Sequence, residues 1–106
     1  MDIPYKEIKL YIPIDKEHIY DGANYLFDFL IKERIQHMSK IGRNIWFDDI
    51  VVRVTSMVDA DKIINFTNNN SYLREGSLSL NPFTVHDGIV SITWDGNLSY
   101  NSVLSN

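Results

Sequence analysis

From Lys6 to Ile14 apolar and polar residues alternate, with Ile8, Leu10, Ile12 and Ile14 on one face and Lys9, Tyr11 and Pro13 on the other. A period of two is that of a strand with one buried face, and Pro13, which cannot donate to a ladder, belongs near its end. The period then changes. Ile19, Ala23, Leu26, Phe27 and Leu30 recur at spacings of three and four. That stripe predicts a helix from Asp15 to about Arg34, with Asp15 as N-cap and Glu17 well placed in the first turn.

Two strand-like runs follow, IQHMSKIG and IWFDDIVVRV, on either side of Gly42, Arg43 and Asn44. They read as a β-hairpin turning at those three residues. Asp48 and Asp49 disturb the apolar phase of the second arm, and a bulge would account for it. Thr55 or Ser56 would cap a second helix to about Asn68, with Ala60, Ile63, Ile64 and Thr67 on its inner side. Residues 68–88 read as irregular, a long stretch for a compact domain. GIVSITW then forms a last strand closed by the turn DGN.

The order β-α-β-β-α-β is the split βαβ, or ferredoxin-like, α+β arrangement: a four-stranded antiparallel sheet with two helices on one face. In it the 8–14 strand and the IVVRV strand are central, and the polar QHMSK strand is an edge.

Composition narrows the class. The 106 residues, 44% apolar and 23% charged, suit a single globular domain spanning 1–106. The closing SYNSVLSN has the look of a first helical turn, as though the chain ran on past Asn106. There is no cysteine, which removes disulfides, thiolate nucleophiles and Cys-held zinc. No apolar run approaches the roughly 18 residues of a membrane span, and MDIPYKEIK lacks the order of a signal peptide. A soluble, cytoplasmic protein without membrane association is the default expectation. The net charge of −4 argues against nucleic acid; Lys40 and Arg43, around Gly42, are the one local basic grouping.

Candidate chemistry is sparse. NPFTVHDG, residues 81–88, sets His86 beside Asp87 ahead of an apolar run. A carboxylate-held histidine could do acid–base work, whereas Asp-Gly more simply makes a turn and leaves His86 in solvent. The turn reading is preferred, with Phe83 packing inward to anchor the tract. His18, His37 and His86 show no metal-ligand spacing and are expected at solvated positions; Asp48, Asp49, Asp59 and Asp61 do not form a calcium loop. No metal or other cofactor is expected. Tyr11 and Trp46 could stack bases on an open sheet face, but the basic-Gly-aromatic pattern of an RNA-recognition motif is missing. There is no nucleophile elbow, phosphate loop or dinucleotide motif. The Asn-x-Ser/Thr matches at Asn65, Asn69 and Asn97 carry no weight without a secretory signal.

The succession IKLYIPIDKEHIYDGANYLFDFL, FDDIVVRV, then LREG and NPFTVHDGIVSITWDGNLSYN resembles a diverged module of the HopA-type family of type III effectors. Phe83, Thr84, Gly88, Ser99 and Tyr100 would occupy the last positions of that pattern. The basic residue that normally follows the Ser-aromatic pair is missing here. The resemblance implies an effector-like protein exported without a cleaved signal. Related folds occur in phosphothreonine lyases, which use a Lys base, a His acid and Arg residues that hold phosphate. Lys40, His37 and Arg43 or Arg53 are the positions such chemistry would use.

Three readings follow. The preferred one is a non-catalytic domain that binds a protein or peptide through the open sheet face, an edge strand or the 68–88 loop, with Phe83, His86, Asp87 and Tyr100 as binding residues. A phosphate-handling enzyme using His37, Lys40, Arg43 or His86 is the alternative, and RNA binding is disfavoured.

Overall fold

The computed structural model describes residues 7–45, 47–78 and 84–95. Their order is β1 (Glu7–Ile14), α1 (Ile19–Lys32), β2 (Met38–Arg43), β3 (Asp48–Val54), α2 (Met57–Asn69), α3 (Ser71–Gly76), β4 (Val85–Asp87) and β5 (Val90–Asp95). The class is α+β, with five strands rather than four and three helices rather than two. The strands form one antiparallel sheet in the order β2-β3-β1-β5-β4. β1 and β3 are central and β2 is an edge, as the apolar and polar character of these runs implies.

The alternation of β1 determines which face is covered. Ile8, Leu10, Ile12 and Ile14 are buried, and they pair across with Val54, Val52, Ile50 and Asp48 of β3. On the β5 side Leu10 pairs with Ile92. These residues join Ile19, Ala23, Leu26 and Leu30 of α1, Ala60, Ile63 and Ile64 of α2, and Leu73 of α3 in one core cluster. All three helices therefore cover the same face. The other face carries Lys9, Tyr11 and Pro13 with their partners Arg53, Val51 and Asp49, and beyond them Met38, Lys40 and Gly42 of β2.

The turn between β2 and β3 lies later than the glycine suggests. β2 runs on through Gly42 and Arg43, and the turn follows it, with Asn44 N–H donating to Phe47 O at 3.0 Å. No bulge interrupts β3: its pairing with both neighbours is continuous from Asp48. The disturbed phase has another cause. Asp48 occupies a core-side position, 3% exposed, and Lys16 reaches its Oδ1 at 2.9 Å. A buried charge is tolerated here because a partner compensates it.

Caps bound the helices. Asp15 does not cap α1 directly; it starts a turn at 16–18, and regular helix begins at Ile19. The end of α1 is a Schellman motif: Ile35 N–H reaches Leu30 O and Arg34 N–H reaches Ile31 O. Its left-handed position is filled by Arg34, φ 56°, where glycine is usual, while Ile35 buries itself next to Leu30. Ser56 Oγ accepts from Asp59 N–H, capping α2 as expected.

Much of the tract that reads as irregular is structured. Asn70 Oδ1 accepts from Leu73 N–H at 2.9 Å and starts α3. After α3 the chain lies along the end of β1, with Asp15 N–H on Gly76 O and Leu78 N–H on Pro13 O. The expected turn at Asp87-Gly88 is present and joins β4 to β5. Gly88 has φ 61°, and a side chain there would collide with the Asn68 amide, which binds Asp87 O at 3.1 Å and Ile89 N–H at 2.9 Å. Phe83, and the turn expected after Asp95, fall outside the described residues.

Leu26→Ala and Ile63→Ala, both fully buried, should each destabilise the protein by about 2–5 kcal/mol in urea denaturation. Arg34→Gly should act in the opposite direction. Relief of the left-handed backbone should raise stability by about 1 kcal/mol, read as a higher denaturation midpoint at unchanged slope.

Candidate functional site

The residues singled out in the sequence separate into three places. β2 sets Lys40 near Arg53, and His37 lies just ahead of the strand. On the face away from the described helices Lys40 stands beside the buried Val51, and Met38 beside Arg53. A depression of about 350 Å3 is lined by Met38, Ser39, Lys40, Val51 and Arg53. A second, of about 230 Å3, shares Met38 and Arg53 with it and adds His37 and Glu7. Its polar groups are partly engaged: Arg53 lies 3.9 Å from Glu7, and His37 Nδ1 is 2.6 Å from Ser39 Oγ. On the same face, across from Gly42, stands the half-buried Asp49. Burial raises its pKa, Asn44 opposes this with a hydrogen bond at 3.3 Å, and the charge of Asp48 adds to the rise.

Arg43 does not join this group. It lies at the far end of β2 in the row of Asp48, on the helix side. There its guanidinium sits 5.8 Å from the centre of the Tyr20 ring and donates to the Tyr20 hydroxyl.

His86 is on the opposite edge of the sheet, exposed on β4 and paired with Ser91. Successive strand residues point to opposite faces, so Asp87 turns away from it. The Asp87 carboxylate takes the Asn68 amide at 3.4 Å instead. Adjacent in sequence, His86 and Asp87 do not make the dyad their order suggests. Phe83, Tyr100, Ser99 and Trp46 lie outside the described residues.

The pair that does form is Asp15 with His18. Asp15 Oδ1 accepts from the His18 backbone N–H at 2.8 Å and lies 2.7 Å from His18 Nδ1. A carboxylate only accepts, so the ring proton is on Nδ1, and Nε2 has no hydrogen-bond partner among the described residues. The ring is not at a solvated position, as the sequence led one to expect: its side chain is 15% exposed. It lies 4.6 Å from the Tyr72 ring, which in turn meets Tyr25 edge-on at 5.5 Å. It also packs so close to Gly76 that a Cβ there would overlap the His18 side chain. The hydrogen bond to Asp15 raises the pKa of His18, against burial, with the charges of Asp15, Glu75 and Glu17 contributing. Burial would raise the pKa of Asp15, but the hydrogen bonds from His18 outweigh it and hold the carboxyl below its ordinary value.

The Asp-x-x-His spacing at the head of α1 was a usable signal for this contact. Its other half was not, because Tyr72 and Gly76 belong to a helix that the sequence pattern did not show. The arrangement ties α3 to the start of α1. Close by, Lys16 bridges Asn44 O and Asp48, and Lys16 holds the Asp48 carboxyl below its ordinary pKa against the effect of burial.

Among the described residues no three potential metal ligands come together, and no helix is long and apolar enough to cross a membrane. Neither a model of any known protein family nor any curated protein sequence matches this chain at a significant level.

The raised pKa of His18 and the lowered pKa of Asp15 set the pH dependence of this tie. Its contribution to stability should be complete between about pH 4 and 6.5, the ordinary values of the two groups. It should be lost as pH rises through the elevated folded value of His18, and again as pH falls through the depressed value of Asp15. Denaturation of the wild type and His18→Gln across pH 3–9 should therefore show a stability gap that narrows at both ends. A gap independent of pH would exclude the ion pair.

Proposed function

We propose that the chain is a non-catalytic protein-interaction domain that takes an extended segment of a partner along the outer edge of β2. The observation that carries this reading is the edge itself. It is six residues long and free of proline, and among the described residues nothing pairs with its outer side. Such an edge offers a row of unpaired N–H and C=O groups, which is the basis of recognition by strand addition. Met38, 67% exposed, and Lys40 stand at that edge, Lys40 beside the first depression and Met38 beside both. An apolar side chain would settle beside Met38, and an acidic one beside Lys40 and Arg53. β4, the other edge, has three residues and offers less.

In the same reading the strand order β2-β3-β1-β5 is the ferredoxin-like core, with β4 added outside β5. A role exercised through contact with another protein also suits the effector resemblance. The grouping of His37, Lys40 and Arg53 around adjoining depressions favours one alternative, phosphate handling; there Arg53 and Lys40 would hold the anion and His37 would transfer a proton.

A six-residue peptide alternating Glu and Val, titrated into the labelled protein, should shift the amide resonances of β2 and protect them from hydrogen exchange. Lys40→Glu should weaken that binding by about tenfold. Shifts confined to other strands would refute the edge reading. Shifts of Lys40, Arg53 and His37 with inorganic phosphate, in the absence of any peptide response, would favour the alternative.

A further inference from the structure

We infer that the strand taken up by β2 is β2 of a second copy of this chain, paired antiparallel about Ile41. The inference rests on the edge reading and names its partner. Backbone geometry restricts the ways in which β2 can meet itself. Along an edge strand, alternate residues direct their N–H and C=O groups inward to the neighbouring strand, and the others direct theirs outward. In an antiparallel pair an outward residue must meet an outward residue. Residues that meet in a self-pair therefore differ by an even number, and both helix layers end on the same side of a continuous sheet.

Within Met38–Arg43, two registers keep five residues of each strand paired: 38–42 centred on Lys40, and 39–43 centred on Ile41. The first places Lys40 directly against its own copy, and like charges in that position repel. The second places Ile41 against Ile41, in the row where it already packs on the core. It sets Ser39 against Arg43, and Lys40 against Gly42.

The last pairing is the decisive one. Gly42 presents no side chain, and in its own sheet it stands opposite Asp49. The row that begins at Lys40 of one copy therefore crosses an open glycine and ends at Asp49 of the other, two strand spacings or about 10 Å between Cα atoms. An extended lysine and an aspartate span that distance, and the two-fold axis makes the pair twice. Among the described residues Asp49 takes one hydrogen bond in its own chain, the 3.3 Å contact from Asn44. Gly42 itself is not required by its own fold. It has no positive φ, and an added Cβ would rest 4.0 Å from Asp49 Cβ, in ordinary contact. A glycine inside a strand weakens it, and it often marks the close approach of another chain. Here that cost is met by leaving the path from Lys40 to Asp49 clear.

Sedimentation equilibrium of the full chain from about 1 μM to 1 mM, a range that brackets weak to moderate association, tests this. A reversible dimer is expected. Lys40→Glu should weaken it about tenfold by facing Glu with Asp49, and Gly42→Val should do so by blocking the row. The double variant Lys40→Glu with Asp49→Lys should return to within about threefold of the wild type. Thermal melts of each variant separate lost association from lost folding. A monomer throughout the range, or a dimer indifferent to Lys40 and Gly42, overturns the inference. The edge reading survives either result if the Glu-Val peptide still binds at β2, and falls with it if the peptide does not.

Discussion

β1 is the constraint on which the rest depends. It hydrogen-bonds to β3 on one side and β5 on the other, and its four isoleucine and leucine side chains lie under the helices. A one-residue slip in either pairing would turn Ile8, Leu10, Ile12 and Ile14 to the open face and bring Lys9 and Tyr11 into the core. Because such a slip exposes four large apolar groups, the register of the central strands is strongly determined. The positions of Lys40, Arg53 and Asp49 on the open face follow from it. So does the placing of Asp48 at a core-side position where Lys16 compensates its charge.

Around this centre, polar contacts determine where the connections lie. Lys16 ties the start of α1 to the β2–β3 turn, Asp15 and His18 tie it to α3, and Asn68 ties the end of α2 to the β4–β5 turn. Each lies at the rim of the sheet, where the apolar core ends and backbone groups need partners. Among the described residues no helix covers the second face and no strand pairs with the outer side of β2. In the proposed self-pairing of that edge, the missing side chain at Gly42 matters as much as the charges around it.

Several features were legible because they are local. The period of β1, the stripe of α1 and the Ser56 cap each depend on side chains within a few residues of one another, and the structure agrees with all three. Other features misled for identifiable reasons. Asp48 broke the apolar phase of β3 and suggested a bulge, because its compensating lysine is 32 residues away. Gly42 suggested a turn, although it lies within a strand. α3 has only Leu73 and Gly76 buried, too few positions to show a period, and β4 is three residues long. His86 and Asp87 looked like a pair because they are adjacent, and strand geometry sends them to opposite faces.

What the sequence by itself determined is the class of fold, the central strands with their buried face, and the polar edge at β2. These follow from hydrophobic burial acting on a local periodicity, which any stretch of chain displays without its neighbours. Only the tertiary structure decided that His18 meets Asp15 and Tyr72, that Lys40 shares a face with Arg53 and Asp49 while Arg43 does not, and that His86 stands at the far edge of the sheet, turned away from Asp87. The physical reason is that electrostatics and hydrogen bonding act between groups that folding brings together. The spacing of residues along the chain does not say which distant faces will meet.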